Sequence, residues 1–174
     1  AVSILSTGTS VSLLKAALFQ LTSACKHSSD TTQVAMECGV LGPLCECLEH
    51  VDAAVRLAAL WLVSAIVSHN ADTAAAVVEG GLVPLIVSLV KDPSLASRRI
   101  AISCLGSACK HSFGIVNVLQ KDGFVDAVLP ALKHTDALLR RHACRALALA
   151  VQHSEQCVDL VPKSAREHLV DCMR

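Results

Sequence analysis

The 174-residue chain has no tyrosine, and aromatic residues make up only 2% of it. Its core must be filled by Ala, Leu, Val and Cys, which suits close packing of helices. The formal net charge is 0, so no global field draws the chain to nucleic acid or to an anionic membrane. Long apolar runs are missing too. The longest, Leu57–Val63, falls far short of the ~20 residues that a membrane span needs. No GxSxG, GxxxxGK, GxGxxG or HExxH pattern is present, which leaves no nucleophile-elbow, phosphate-loop, dinucleotide-loop or zinc-protease motif. There is no signal-peptide pattern. Cysteine is the exception to this sparseness. The nine thiols are odd in number and scattered, unlike a secreted disulfide framework. They read as small buried hydrophobes in a reducing, cytosolic compartment. The chain lacks an initiator Met and opens within an apolar segment, which predicts a portion of a longer protein.

What is present is a repeat. Asp52–His69 reads DAAVRLAALWLVSAIVSH, about five helical turns without Pro or Gly. The same template appears as SVSLLKAALFQLTSACKH at Ser10–His27, as SLASRRIAISCLGSACKH at Ser94–His111 and as DALLRRHACRALALAVQH at Asp136–His153. The four closing histidines are spaced by 42 residues with no gap. A fixed period of this size marks a helical solenoid.

The template predicts long helices starting near 10, 52, 94 and 136, capped by Ser10, Asp52, Ser94 and Asp136. Their predicted core stripes are Leu13, Ala17, Leu21 and Ala24; Val55, Ala59, Val63 and Ile66; Ser97, Ala101, Leu105 and Ala108; and Leu139, Ala143, Leu147 and Ala150. The Ala at 17, 59, 101 and 143 is the same in every copy, and lets a neighbouring helix come close. Ser28, Asn70, Ser112 and Ser154 are placed to cap a following short helix. Gly39, Gly81 and Gly123 suit a left-handed turn at its end. A third helix is predicted over Gly42–Glu49, Leu82–Lys91 and Phe124–His134, with Pro43 and Pro84 in its first turn. In the fourth unit Ala165 replaces the glycine and Pro162 falls late in the short helix.

A short, a medium and a long helix in about 42 residues resemble the armadillo repeat. The two-helix HEAT repeat is the alternative. The expected fold is all-α, one right-handed armadillo superhelix over residues 1–174 with partial repeats at both ends. Several strings are more particular. They are SACKHS at Ser23–Ser28 and again at Ser107–Ser112, SHNAD (Ser68–Asp72), QVAMECG (Gln33–Gly39), CLE (Cys47–Glu49), AVVEGGLVPLIV (Ala76–Val87) and RRIAISCL (Arg98–Leu105). Together they are similar to the armadillo proteins of the ciliary and flagellar central apparatus, the sperm-associated-antigen or paralysed-flagella family. The resemblance implies a scaffold on a central-pair microtubule that supports motility, in the cytoskeleton of a cilium. Its partners would be other central-apparatus or microtubule-associated proteins, and no cofactor is involved.

The periodic histidines invite a metal reading. Successive repeats stack roughly 10 Å apart, too far for two of them to share a zinc at about 2 Å. Each is expected to end its own helix against the C-terminal carbonyls. Cys45 and Cys47, with His50 nearby, sit on opposite sides of a helix and make a poor chelate. No catalytic residue and no metal site is assigned.

The candidate site is the side of the long helices that lines the groove of an armadillo solenoid. Copy one presents Lys15, Phe19, Ser23 and Lys26, and copy two Leu57, Trp61, Ala65 and Ser68. Copy three presents Arg99, Ser103, Ser107 and Lys110, and copy four Arg141, Arg145, Leu149 and Gln152. The row runs from aromatic to basic, and aromatic and Arg anchors dominate partner binding. The Trp-plus-Asn array of the importin-type armadillo proteins is absent, because Ala65 follows Trp61 at that spacing. Nuclear-import-signal binding is therefore not expected. An extended acidic-hydrophobic peptide, as catenin-like proteins take, is the alternative partner. Apolar ends around Ala1–Leu5 and around Leu169, Val170 and Met173 predict end-to-end homo-oligomers.

Overall fold

A computed structural model describes residues 1–7 and 10–152. The fourth-unit residues His153, Ser154, Pro162, Ala165, Leu169, Val170 and Met173 lie outside the described residues.

The chain opens with α1 (Val2–Thr7), followed by α2 (Val11–His27). Three units then follow, each with the helices expected as short, medium and long in that order. The first helix of each unit has nine residues and the second only eight, eight and five, so the names short and medium mark order and not length. They are α3 (Ser29–Glu37), α4 (Leu41–Leu48) and α5 (Ala53–Val67); α6 (Ala71–Glu79), α7 (Leu82–Leu89) and α8 (Leu95–Cys109); and α9 (Phe113–Lys121), α10 (Phe124–Val128) and α11 (Ala137–Val151). The predicted helix Phe124–His134 is broken. Pro130 has no N–H to return to the carbonyl four residues back, and the chain tightens into a 3-10 turn over Leu129–Lys133.

The start and stop signals work as the residue types dictate. Ser10, Asp52, Ser94 and Asp136 each accept from a backbone N–H in the first turn of a long helix. Ser28, Asn70 and Ser112 do the same for the short helices. Such a cap contributes about 1 kcal/mol. Gly39, Gly81 and Gly123 sit at φ of 75°, 76° and 82°, a backbone conformation that costs a side-chain-bearing residue free energy.

Repeats stack like on like. The long helices pack α2 on α5, α5 on α8 and α8 on α11. The medium helices form a parallel row, α1 on α4, α4 on α7 and α7 on α10. Helix α1 thus holds the place of a medium helix. Leu5 is only 2% exposed, so the expectation that it forms an uncovered apolar patch is corrected: α1 packs on both α2 and α4. The core runs between the rows, with Leu18, Leu44, Leu60, Leu62, Ile66, Leu82, Ile102, Leu105, Leu119 and Phe124 fully buried. Among the described residues no single helix is long and apolar enough to cross a membrane. Helices α6 and α7 pass only as a pair, and they are bent by 88°.

The predicted stripes are buried in α5, α8 and α11. In α2 the stripe is shifted. Leu14, Ala17, Leu18, Leu21 and Cys25 are buried, while Leu13 is 42% exposed and Ala24 is exposed. The side of α2 that carries Leu13 and Ala24 faces away from α5, and no described helix covers it.

Candidate functional site

The long-helix row positions the site. Between α2 and α5 lies a pocket of about 640 Å3 lined by Phe19, Thr22, Ser23, Lys26, His27, Trp61, Ser64, Ala65, Ser68 and His69. These are five positions of one repeat and the same five positions of the next. The period therefore builds the pocket, and the side chains decide its character. Phe19 is 62% exposed and Trp61 40%, so both rings stand in the opening and not in the core.

The structure brings together Phe19, Ser23, Lys26, Trp61, Ala65 and Ser68 among the predicted site residues, and adds Thr22, Ser64, His27 and His69. The added positions lie one helical turn from the predicted ones, and the small residues at 22, 64 and 106 were the available signal. Two hydroxyls in the pocket are turned back on the helix. Thr22 Oγ1 donates to the Leu18 carbonyl at 2.7 Å, and Ser68 Oγ to that of Ser64 at 2.6 Å. The slot thus offers a partner two aromatic rings beside Ser23, Ser64 and the His27 and His69 rings, and Lys26 lines its edge.

The histidines do something the template did not reveal. Helices α5 and α8 end at Val67 and Cys109, two residues before His69 and His111. The ring of His69 donates through Nε2 to the carbonyl of Cys25, and that of His111 to the carbonyl of Val67 at 2.7 Å. Lys110 Nζ reaches Ser68 O at 2.8 Å. Each acceptor belongs to the end of the preceding long helix, so for His69 and His111 the expectation that the histidine serves its own helix is corrected, while His27 stands in the last turn of α2 as expected. The unsatisfied carbonyls at a helix end are strong acceptors, and here the next repeat satisfies them.

Part of the predicted basic row is likewise committed to repeat stacking. Arg99 holds Asp136, the N-cap of α11, through Nε at 3.0 Å and a terminal nitrogen at 2.5 Å. That pair keeps the Asp136 carboxyl below the usual carboxylate range, with the Leu139 N–H assisting. Lys15 occupies the equivalent place and adds its field to that of the Ala54 and Val55 N–H groups in lowering Asp52. Where the next cap is the neutral Ser94, the residue in this position is Leu57, half-buried. Arg56 joins a second bond set, to Asp92 at 2.8 Å and to the His50 and Val51 carbonyls at 2.8 and 3.0 Å. Arg141 and Arg145 stand exposed, Ser103, Ser107 and Leu149 are half-buried, and Gln152 is exposed.

Neutral net charge conceals a segregation. Within α2, α5, α8 and α11 there is no Asp or Glu, whereas Lys15, Lys26, Arg56, Arg98, Arg99, Arg140, Arg141 and Arg145 all lie there. The carboxylates of the described residues sit in the short and medium helices, the loops and the caps. At the α11 end this is felt by His142. Burial lowers its pKa first, and Arg145, Arg141 and Arg99 lower it further against Asp136.

Cys25, Cys47, Cys104 and Cys109 are buried packing groups, and Cys38 is exposed. Burial raises Cys25 and Cys47, and pushes Cys104 up to about 12. Cys25, Cys38, Cys45, Cys47 and Cys104 are free thiols. Among the described residues no three metal-ligating side chains converge.

A family model for the armadillo/β-catenin-like repeat matches residues 28–68. Solved structures match over the whole length. A designed armadillo repeat protein in complex with a (KR)4 peptide superposes with a TM-score of 0.90 at 16% identity, covering 99% of this chain and 78% of that one. An engineered protein reaches 0.92 at 22% identity, covering 98% and 70%. A computationally designed armadillo repeat protein for modular peptide recognition gives 0.87 at 16%, covering 99% and 79%. None of the curated proteins matches the chain. At these identities the likeness speaks for the fold alone, and by fold the chain is an armadillo-repeat solenoid.

Proposed function

We propose that the chain is a non-catalytic protein-interaction scaffold whose long-helix row holds an extended segment of a partner protein. The observation that carries this reading is the pocket in which Phe19 and Trp61 stand exposed at equivalent positions of adjacent repeats. Aromatic side chains left at the surface of such a slot are the usual anchors of a partner. The absence of any carboxylate from the long helices favours a partner with acidic and hydrophobic residues. An apolar side chain would enter between Phe19 and Trp61, and acidic residues would lie toward Arg141 and Arg145. A basic peptide, such as the (KR)4 held by one designed armadillo protein, finds no counter-charge on these helices.

The setting we propose is the central pair of the ciliary or flagellar axoneme, with central-apparatus or microtubule-associated proteins as partners. What supports this is the set of sequence strings around Ser23–Ser28, Ser68–Asp72 and Ser107–Ser112. Single-solenoid organisation over residues 1–174 and assembly of copies through solenoid ends belong to the same proposal.

The test is co-sedimentation of the chain with axonemes, run beside pull-down by a synthetic acidic peptide with one central aromatic residue. Axoneme binding that Trp61→Ala abolishes supports the scaffold reading, and peptide capture alone supports a soluble adaptor. Binding to neither overturns both. Light scattering over a concentration series addresses the assembly, and a strict monomer at high concentration removes it.

A further inference from the structure

Residues 56, 98 and 140 occupy one position of the 42-residue template, and each is Arg. The three guanidiniums are not served alike. Arg56 holds Asp92 through Nε and a terminal nitrogen, each at 2.8 Å, and donates to the His50 and Val51 carbonyls of its own loop. Arg140 donates to the equivalent carbonyls of His134 and Thr135, both at 2.8 Å. Arg98 Nε is buried and has no acceptor among the described residues. A buried donor of this kind is costly to leave unpaired.

The cause lies in the loop of the next repeat. Helices α5, α8 and α11 start and end in the same register, so the place that Asp92 holds for Arg56 is held for Arg98 by His134. Both side chains do the same local task. Asp92 Oδ1 accepts from the Ser94 N–H at 2.8 Å, and His134 Nδ1 accepts from the Asp136 N–H at 3.0 Å. The second polar atom of Asp92 is Oδ2, the acceptor that Arg56 uses. The second polar atom of His134 is Nε2. Because Nδ1 accepts, the proton of the neutral ring sits on Nε2. A donor therefore stands where the template places an acceptor. The adjacent carboxylates are engaged, Asp92 by Arg56 and Asp136 by Arg99.

We propose that Arg98 and His134 form an oxyanion site between α8 and the loop before α11, and that it takes a phosphate or carboxylate group. The guanidinium donates through Nε and a terminal nitrogen, as Arg56 does to Asp92. The His134 Nε2–H donates to a second oxygen. Charge-assisted bonds of this kind are the strong ones. Arg98 and His134 are half-buried, while Pro93, Lys133 and Thr135 in the flanking loops are exposed, so an ion enters from solvent. The site is independent of the Phe19–Trp61 pocket and of the function proposed for it.

The experiment titrates the isotope-labelled full chain with inorganic phosphate, and separately with acetate, at constant ionic strength. It follows the Arg98 Nε–H and His134 ring resonances and the melting temperature. Saturable shifts at both side chains are expected, with a melting temperature that rises with anion concentration. Saturation by phosphate alone assigns a phosphate group, by acetate alone a carboxylate, and by both a site for either. Arg98→Leu places at 98 the residue type that α2 carries at Leu14, and should weaken binding by about tenfold or more. His134→Asp supplies the carboxylate of the Arg56–Asp92 pair. It should raise the melting temperature without anion and cancel the response to anion. No saturable shift with either anion, undiminished binding by Arg98→Leu, or a His134→Asp chain that keeps the anion response would overturn the proposal.

Discussion

The first and last interfaces of the long-helix row use one template and reach opposite ends. Between α2 and α5 the counterparts of Gly106 and Ala146 are Thr22 and Leu62, and a slot stays open there, with Phe19 and Trp61 in its mouth. Between α8 and α11 the paired positions are Gly106 and Ala146, so close that no side chain fits on Gly106. There Arg99 ties one helix to the cap of the next. Periodicity fixes which positions meet across an interface. The volume at those positions fixes whether the interface closes on itself or leaves room for a partner.

The contrast can be broken most severely at Gly106. Gly106→Val should cost about 1–3 kcal/mol, because overpacking must push α11 away. Thr22→Val, at the same position of the open interface, should stay within ~0.5 kcal/mol. Equal losses in denaturant midpoint for the two variants would erase the distinction.

The pocket side is sharpened by Trp61→Ala. Loss of about 2 kcal/mol of partner binding, with helical circular dichroism retained, is the expected outcome for an exposed anchor. A parallel fall in melting temperature would place Trp61 in the core instead.

Ser97 offers a change in the opposite direction. It is fully buried where the other copies carry Leu13, Val55 and Leu139, and its Oγ has no partner. Ser97→Val should stabilise the chain by about 1 kcal/mol, read as a higher denaturant midpoint. A loss would mean that the hydroxyl is satisfied in solution.

The smallest effect is that of pH at the basic end. His142 has its folded pKa lowered by burial and by Arg145, Arg141 and Arg99. Between the unfolded value of about 6.5 and the lower folded one, the unfolded chain binds more protons, so stability falls as pH drops below about 6.5. His142→Gln should flatten that part of the curve. Asp52 and Asp136 have lowered folded values. Their contribution is complete above about pH 4 and is lost as pH falls through the folded pKa. A curve flat from pH 7 to 5 in the parent chain would refute the His142 assignment.

Local chemistry was legible in the sequence wherever one residue decides it. The seven described caps and the three left-handed glycines fall where Ser, Asp, Asn and Gly stand in the 42-residue template. The misreadings arose wherever a partner from another repeat decides. Leu13 looks like core because its copies are core, but its burial needs a helix on the far side. Leu5 looks like an open end, but α1 is already seated on α4. His69 and His111 look like closures of their own helices, but the ring reaches about one repeat back in space.

Sequence by itself determined the period, the three-helix unit, the caps and the placing of Phe19 and Trp61 in register, because each depends on backbone preference or on spacing along one helix. Tertiary structure alone decided which of Lys15, Arg56, Arg99 and Lys110 are spent on stacking, where the row opens into a pocket and which side of α2 is left bare. Those outcomes depend on distances between helices. A pattern of residue types along a chain does not contain them until the helices are packed.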